Sequence, residues 1–184
     1  MTLFGEELES RLKEVRLLVL DVDGTLTDGG MYYSAEGDVL KRFYVQDGMG
    51  ITLLHRAGIQ VALMTSENSP IVKTRAQKLK IAHVFLNCKT KKSTLENLSR
   101  TLDIPLRQIA YMGDDVNDEA PMTIAGISAC PSDAVPIILE TADYICKHHG
   151  GHGAVREFAE MILAAQEKLN RLPEVWEEVA ATSK

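Results

Sequence analysis

The sequence predicts a single α/β domain built on a central parallel sheet flanked by helices, with a β-hairpin flap and no cap domain. Two observations predict it. Short apolar runs rich in Val, Ile and Leu alternate with amphipathic segments of helical period, the pattern of strands joined by crossover helices. The chain has 184 residues, 45% of them hydrophobic, which is enough for one sizeable core and too few for two comfortable domains. The expected architecture is Rossmann-like, one domain over residues 1–184 with its core at about 14–172.

The first strand is the apolar run 17–22, which ends on acids. Residues 31–45 (MYYSAEGDVLKRFYV) then break the rhythm, reading as two strands about a Glu36-Gly37 turn, a hairpin rather than a crossover helix. A helix is expected over 48–57 with Asp47 as its N-cap, followed by a strand at 59–64. Ser69 is placed to cap, and Pro70 to open, a helix over 70–79. A strand at 83–86 leads to a helix over 91–102 capped by Thr90, and a strand at 109–112 leads to a helix over 119–125. Shorter strands fall near Ile127 and Tyr144, and a long helix begins near Ala154. The ends, before about Glu14 and after about Leu172, read as loosely ordered.

Composition narrows the function. A net charge of -6 argues against nucleic acid or an anionic membrane surface as a partner, since either calls for a basic stripe. No apolar stretch reaches membrane-spanning length, and the first residues lack the pattern of a signal peptide. Cys88, Cys130 and Cys146 form neither a metal-ligand pair nor an even disulfide set, so a reducing cytoplasm is the expected location.

The strongest chemical signal is LLVLDVDGTLTDGG, where a strand runs directly into Asp21, Asp23 and Gly24. Ligands of open α/β sheets bind at the carboxyl ends of the strands, so both acids stand where a ligand would. Carboxylates one residue apart on an extended chain share a side and repel unless a positive charge is shared, and a hard divalent cation suits them. An Asp-x-Asp pair alone is more often a turn or a cap. Here three further strand ends carry matching groups: Thr65 after VALM, Lys91 after the HVFL run, and Gly113-Asp114-Asp115 after IAYM.

The order Asp-x-Asp-Gly, Thr, Lys, Gly-Asp-Asp-x-x-Asp resembles the four motifs of the haloacid dehalogenase superfamily, over about residues 17–165. The resemblance implies that Asp21 attacks phosphorus and forms an aspartyl-phosphate. Asp23 would protonate the leaving alcohol and later activate water. Thr65 and Lys91 would hold the phosphoryl oxygens, with Lys89 and Lys92 close enough to compete for the lysine's place. Mg2+ would bind the Asp21 carboxylate, the Asp23 backbone carbonyl and Asp114, with Asp115 and Asp118 as supporting acids. Superfamily ATPases carry Thr in the second acid's place, so Asp23 favours a phosphatase.

The residues between Asp21 and Thr65, and between Thr65 and Asp114, are used up by the elements above, leaving no room for a cap domain. A lid is then expected from the hairpin, whose apolar content is large for an isolated ribbon. It either covers a neighbour's site in a homotetramer or packs on its own domain. The strings TDGGMYY, VQDGMGI, GDDVND and GGHGAVREFAE are similar to those of capless sugar-acid phosphatases. These act on 3-deoxy-octulosonate 8-phosphate or nonulosonate 9-phosphates, so the expected partner is a phosphorylated sugar acid. Glu67 and Lys78 look like the pair of the nonulosonate enzymes, and His152 stands where octulosonate enzymes commonly have Arg. The expectation therefore leans to a nine-carbon acid, with octulosonate 8-phosphate as the alternative. His148, His149 and His152 read as a substrate-facing loop rather than a zinc site. Arg156 either faces the site or pairs with carboxylates of its helix. A non-catalytic oligomerisation module, like the phosphatase-like domain of animal sialic-acid cytidylyltransferases, is the rival of another class. Retention of the acid set argues against it.

Overall fold

A computed structural model describes residues 5–171 of the chain. In chain order the elements are α1 (Glu6–Lys13), β1 (Leu17–Leu20), β2 (Tyr32–Ser34), β3 (Gly37–Leu40), α2 (Val45–Arg56), β4 (Gln60–Met64) and α3 (Pro70–Lys78). Then come β5 (His83–Phe85), α4 (Lys91–Leu102), β6 (Ile109–Met112), α5 (Glu119–Met122), β7 (Ile127–Cys130), α6 (Pro136–Thr141), β8 (Tyr144–Ile145) and α7 (Ala154–Ala165). Short 3-10 turns occupy Leu106–Gln108, Val116–Asp118 and Leu169–Arg171.

Six strands form one parallel sheet in the order β5-β4-β1-β6-β7-β8. The order reverses at β1, so the crevice beyond its carboxyl end is the switch point at which such sheets bind ligands. Both faces of the sheet are buried, and successive residues alternate between two cores as a period of two requires. Leu18, Leu20, Val61, Leu63, Ala110 and Met112 face α1, α2, α3 and α7. Leu17, Val19, Ala62, Met64, Ile109 and Tyr111 face α4, α5 and α6. The expected Rossmann-like fold is observed, and no cap domain interrupts the described residues.

Three expectations are corrected. Residues 5–13 are not loose, because α1 buries Leu12 and its Arg11 donates to both carboxylate oxygens of Asp143 and to the Gly126 carbonyl. Gln166 fastens the end of α1 from the other side, donating to the carbonyls of Leu12 and Val15. Asp47 does not cap its own helix, which starts two residues earlier. Its buried carboxylate instead accepts from the backbone N–H groups of Gly153 and Arg156, capping α7 across the interface between α2 and α7. Gly50 lets those helices close up, since a Cβ there would stand 3.1 Å from the Arg156 Cα. Ser69 and Thr90 do occupy the N-cap positions of α3 and α4, but neither side chain makes a capping bond. The expectation about residues after Leu172 falls outside the described residues.

β2 and β3 form a separate antiparallel hairpin, its base closed by the bridge between Thr27 and Phe43. It is shorter than expected, because α2 already begins at Val45. Its outer residues stand free: Tyr33 is 62% exposed, Leu40 61%, and Val45 at the start of α2 75%.

Candidate active site

Asp21 follows β1 directly, held by its N–H to the Met112 carbonyl of β6 at 2.9 Å. Across the switch point, Lys91 opens α4 and reaches back so that its Nζ lies 2.5 Å from Asp21 Oδ1 and 2.6 Å from Asp118 Oδ1. All three side chains are buried. Lys91 is therefore the lysine at the cluster, and its two competitors are elsewhere: Lys89 donates to the Ser66 carbonyl and Lys92 is exposed.

Asp118 is fully engaged as an organiser. Its Oδ1 accepts from Lys91 and from the Tyr111 hydroxyl at 2.7 Å, and its Oδ2 from the backbone N–H groups of Asp114 and Asp115. Gly113 makes this possible, because a Cβ there would lie 2.2 Å from the Asp118 Cγ. Asp114 takes its place beside them with Thr25 Oγ1 donating to its Oδ1 at 3.0 Å. Gly24, at φ +89°, passes so close that a Cβ would stand 2.0 Å from Asp114 Oδ2, which only glycine allows. Asp115 lies at the exposed rim, its carboxylate capping the Val116 N–H.

Electrostatics follow from this crowding. Burial, and then the Asp118 carboxylate, hold the Asp21 carboxyl well above the usual range, with Lys91 opposing. The same two causes push Asp114 up to about 7. On Lys91, burial works against the charge, but Asp21 and Asp118 outweigh it and raise the ammonium above its ordinary value. One oxygen each from Asp21, Asp114 and Asp118 lies within 4.8 Å of the others. These acceptor-only oxygens are short of positive charge, so the donor set fits a hard divalent cation. Since Asp118 already has four donors, Asp21 and Asp114 have the oxygens to spare.

Thr65 directly follows β4 and is buried. Its Oγ1 accepts from the Glu67 N–H at 3.1 Å, leaving the hydroxyl proton to donate elsewhere. Asp23 meets a residue absent from the sequence reading: Lys41, just past β3, whose Nζ lies 2.5 Å from Asp23 Oδ1. Asp23, Asp38 and Glu67 together raise the Lys41 ammonium above its ordinary value against the opposing effect of burial. A lysine between the polar turn and the aromatics of a hairpin was the signal available.

The residues expected to contact substrate are less convergent. Glu67 and Lys78 are both exposed, on the loop before α3 and in its last turn. His152 accepts from Arg42 and bonds the Gly150 carbonyl. Arg156 pairs with Glu160 at 2.6 Å, the second of the two expectations for it. The glycines beside His152 press against the catalytic loop, with the Gly151 N–H donating to the Thr25 carbonyl. The expected substrate-facing loop is thus also a buttress. Its other histidines pair locally, His148 with Glu157 and His149 with Asp133.

A nucleophile-like acid beside a lysine, a second acid two residues on, and an acid cluster suited to a cation define the site of a haloacid dehalogenase-type hydrolase. Residues 61–158 match the family model described as haloacid dehalogenase-like hydrolase. The chain belongs to that family, and its reaction class is phosphoric monoester hydrolysis. It is 38% identical over 165 residues to the 3-deoxy-D-manno-octulosonate 8-phosphate phosphatase KdsC of Yersinia pestis, covering 90% of this chain and 88% of that protein. The crystal structure of the corresponding phosphatase from Moraxella catarrhalis, in complex with magnesium, phosphate and KDO, superposes with a TM-score of 0.90 at 36% identity, covering 94% of this chain and 99% of the other. A cobalt-bound form of the Haemophilus influenzae enzyme gives a TM-score of 0.86 at 37% identity, covering 88% and 94%. These relatives are octulosonate enzymes, so the lean towards a nine-carbon acid finds no support among them.

Proposed function

We propose that the chain is a magnesium-dependent phosphatase of 3-deoxy-D-manno-octulosonate 8-phosphate, working through an aspartyl-phosphate. The observation that carries the proposal is the buried cluster of Asp21, Lys91 and Asp118 with Asp114 beside it, on a chain with octulosonate phosphatases as relatives. The pair Glu67 and Lys78, which suggested a nine-carbon acid, is exposed.

In the first step an Asp21 carboxylate oxygen bonds to phosphorus, the bond from phosphorus to the ester oxygen breaks, and that oxygen takes a proton from Asp23. In the second, water attacks phosphorus, Asp23 takes its proton, and the bond to Asp21 breaks to release phosphate. Lys91 at the start of α4 and the free Thr65 hydroxyl proton just after β4 stabilise phosphoryl oxygens. Asp118, fixed by four donors, keeps Lys91 and the Asp114 backbone in place. Magnesium, held by Asp21, Asp114 and the Asp23 backbone carbonyl, would neutralise charge on the transferring group.

The exposed apolar hairpin supports a homotetramer in which a neighbour's hairpin covers each site. Three buried, unpaired cysteines support a reducing cytoplasm, and no helix among the described residues is long and apolar enough to cross a membrane. The test is phosphate release from the octulosonate 8-phosphate and from nonulosonate 9-phosphates in magnesium, with Asp21→Asn as control. Preference for a nine-carbon ester overturns the substrate, and an active control overturns the mechanism.

A further inference from the structure

We infer that Lys41 is a positioning residue for leaving-group protonation, gripping the Asp23 carboxylate by one oxygen and leaving the other for the ester oxygen of the substrate. This rests on the reading of Asp23 as proton donor given above.

Lys41 sits immediately after β3, and its chain neighbours Leu40 and Arg42 are exposed, yet its own side chain is 1% exposed. Lysine is among the residues least often buried, and its burial calls for specific partners. Those partners are Asp23 Oδ1 at 2.5 Å and Asp38 Oδ2 at 3.6 Å. Asp38 Oδ2 in turn accepts from Ser69 Oγ at 3.0 Å, so a chain of contacts runs from the loop before α3 through the hairpin to Asp23.

The other Asp23 oxygen, Oδ2, is buried and has no hydrogen-bond partner. Buried polar atoms are paired with few exceptions, and both carboxylates on Lys41 keep one, Asp23 Oδ2 and Asp38 Oδ1; of the two acids, Asp23 is the one two residues from Asp21. A group that must exchange a proton with a substrate needs that vacancy. The Lys41 contact fixes which oxygen is free and where the carboxylate sits, which is what proton transfer in the transition state demands. As the bond from phosphorus to the ester oxygen breaks, the ester oxygen takes the proton from Asp23 Oδ2, and the carboxylate that forms is stabilised by the ammonium already on Oδ1. The hairpin thereby serves the site of its own subunit, whatever its tip does for a neighbour.

The test compares kcat/KM in magnesium for two esters. One is a primary alkyl phosphate turned over by the wild type, the octulosonate ester first; the other is p-nitrophenyl phosphate, whose phenolate leaves without a proton. Lys41→Met should lower kcat/KM about 100-fold on the alkyl ester but less than about threefold on the aryl ester, with Lys41→Arg recovering part of the loss. In an Asp23→Asn background Lys41→Met should change nothing further. Equal losses on both esters, no loss at all, or an added loss in the Asp23→Asn background would each overturn the inference. Lys41→Gln, read by the same ratio of esters, serves if Lys41→Met does not fold. Should Asp23→Asn itself keep full activity on the alkyl ester, the reading of Asp23 fails first and is seen to fail separately.

Discussion

Replacing Lys91 by Met removes the one ammonium held between Asp21 and Asp118, at 2.5 and 2.6 Å, while keeping most of the side chain's volume. Taking one partner from a buried ion pair costs about 3–5 kcal/mol, because the remaining charge stays behind. Two circumstances moderate that figure. Asp21 is already held well above the usual carboxylate range by burial, so without the lysine it takes a proton rather than stay charged. The penalty is therefore absent only below the carboxyl's unfolded pKa, grows as pH rises from there, and is complete above its raised folded pKa. A divalent cation on the same oxygens also replaces the missing charge. The expected loss is about 3 kcal/mol near pH 8 in a chelator, shrinking as pH falls and at least halved in saturating magnesium. Urea unfolding at several pH values, with and without magnesium, measures it, alongside a fall in phosphate release of about 100-fold or more. A loss under about 1 kcal/mol near pH 8, or one indifferent to both pH and magnesium, would refute the reasoning.

Two further outcomes are expected. Asp114, pushed up to about 7 by burial and Asp118, holds a proton that the cation must displace, so magnesium affinity should fall about tenfold per unit as pH drops below 7. Calorimetry in buffers of different ionisation enthalpy reads the released proton, and an affinity flat across that range contradicts the assignment. Asp47→Ala should cost about 1–2 kcal/mol in urea unfolding through the lost cap on α7, with kcat within about twofold of the wild type. A tenfold fall in kcat at unchanged stability would show that Asp47 belongs to the chemistry instead.

What the sequence made legible was whatever local pattern controls. The apolar runs at β1, β4 and β6 gave the sheet, and the groups directly after β1, β4 and β6 gave Asp21, Thr65 and Asp114. Lys91 was found only to within its neighbours, since three lysines share one loop and helix start and only the fold shows which one turns inward. Helix α1 does carry a signal, apolar residues at 8, 12 and 15, but it is a short one at a chain end, where fraying is the ordinary expectation. Asp47 misled because an acid at a helix start reads as a cap for that helix, whereas its partner lies more than a hundred residues on. Thr25 escaped for the same reason: its hydrogen bond to Asp114 joins distant segments and leaves no spacing to read.

The loop of Gly150 and Gly151 lies against the turn that carries Asp23, so closely that a Cβ on Gly150 would overlap the Gly24 carbonyl at 1.7 Å. The turn is synthesised before its support. Until that loop has emerged from the ribosome, the turn has nothing to rest on. A chain cut between the two thus carries the reactive acid without the wall that shapes it, and catalysis begins only once Gly150 and Gly151 have joined it.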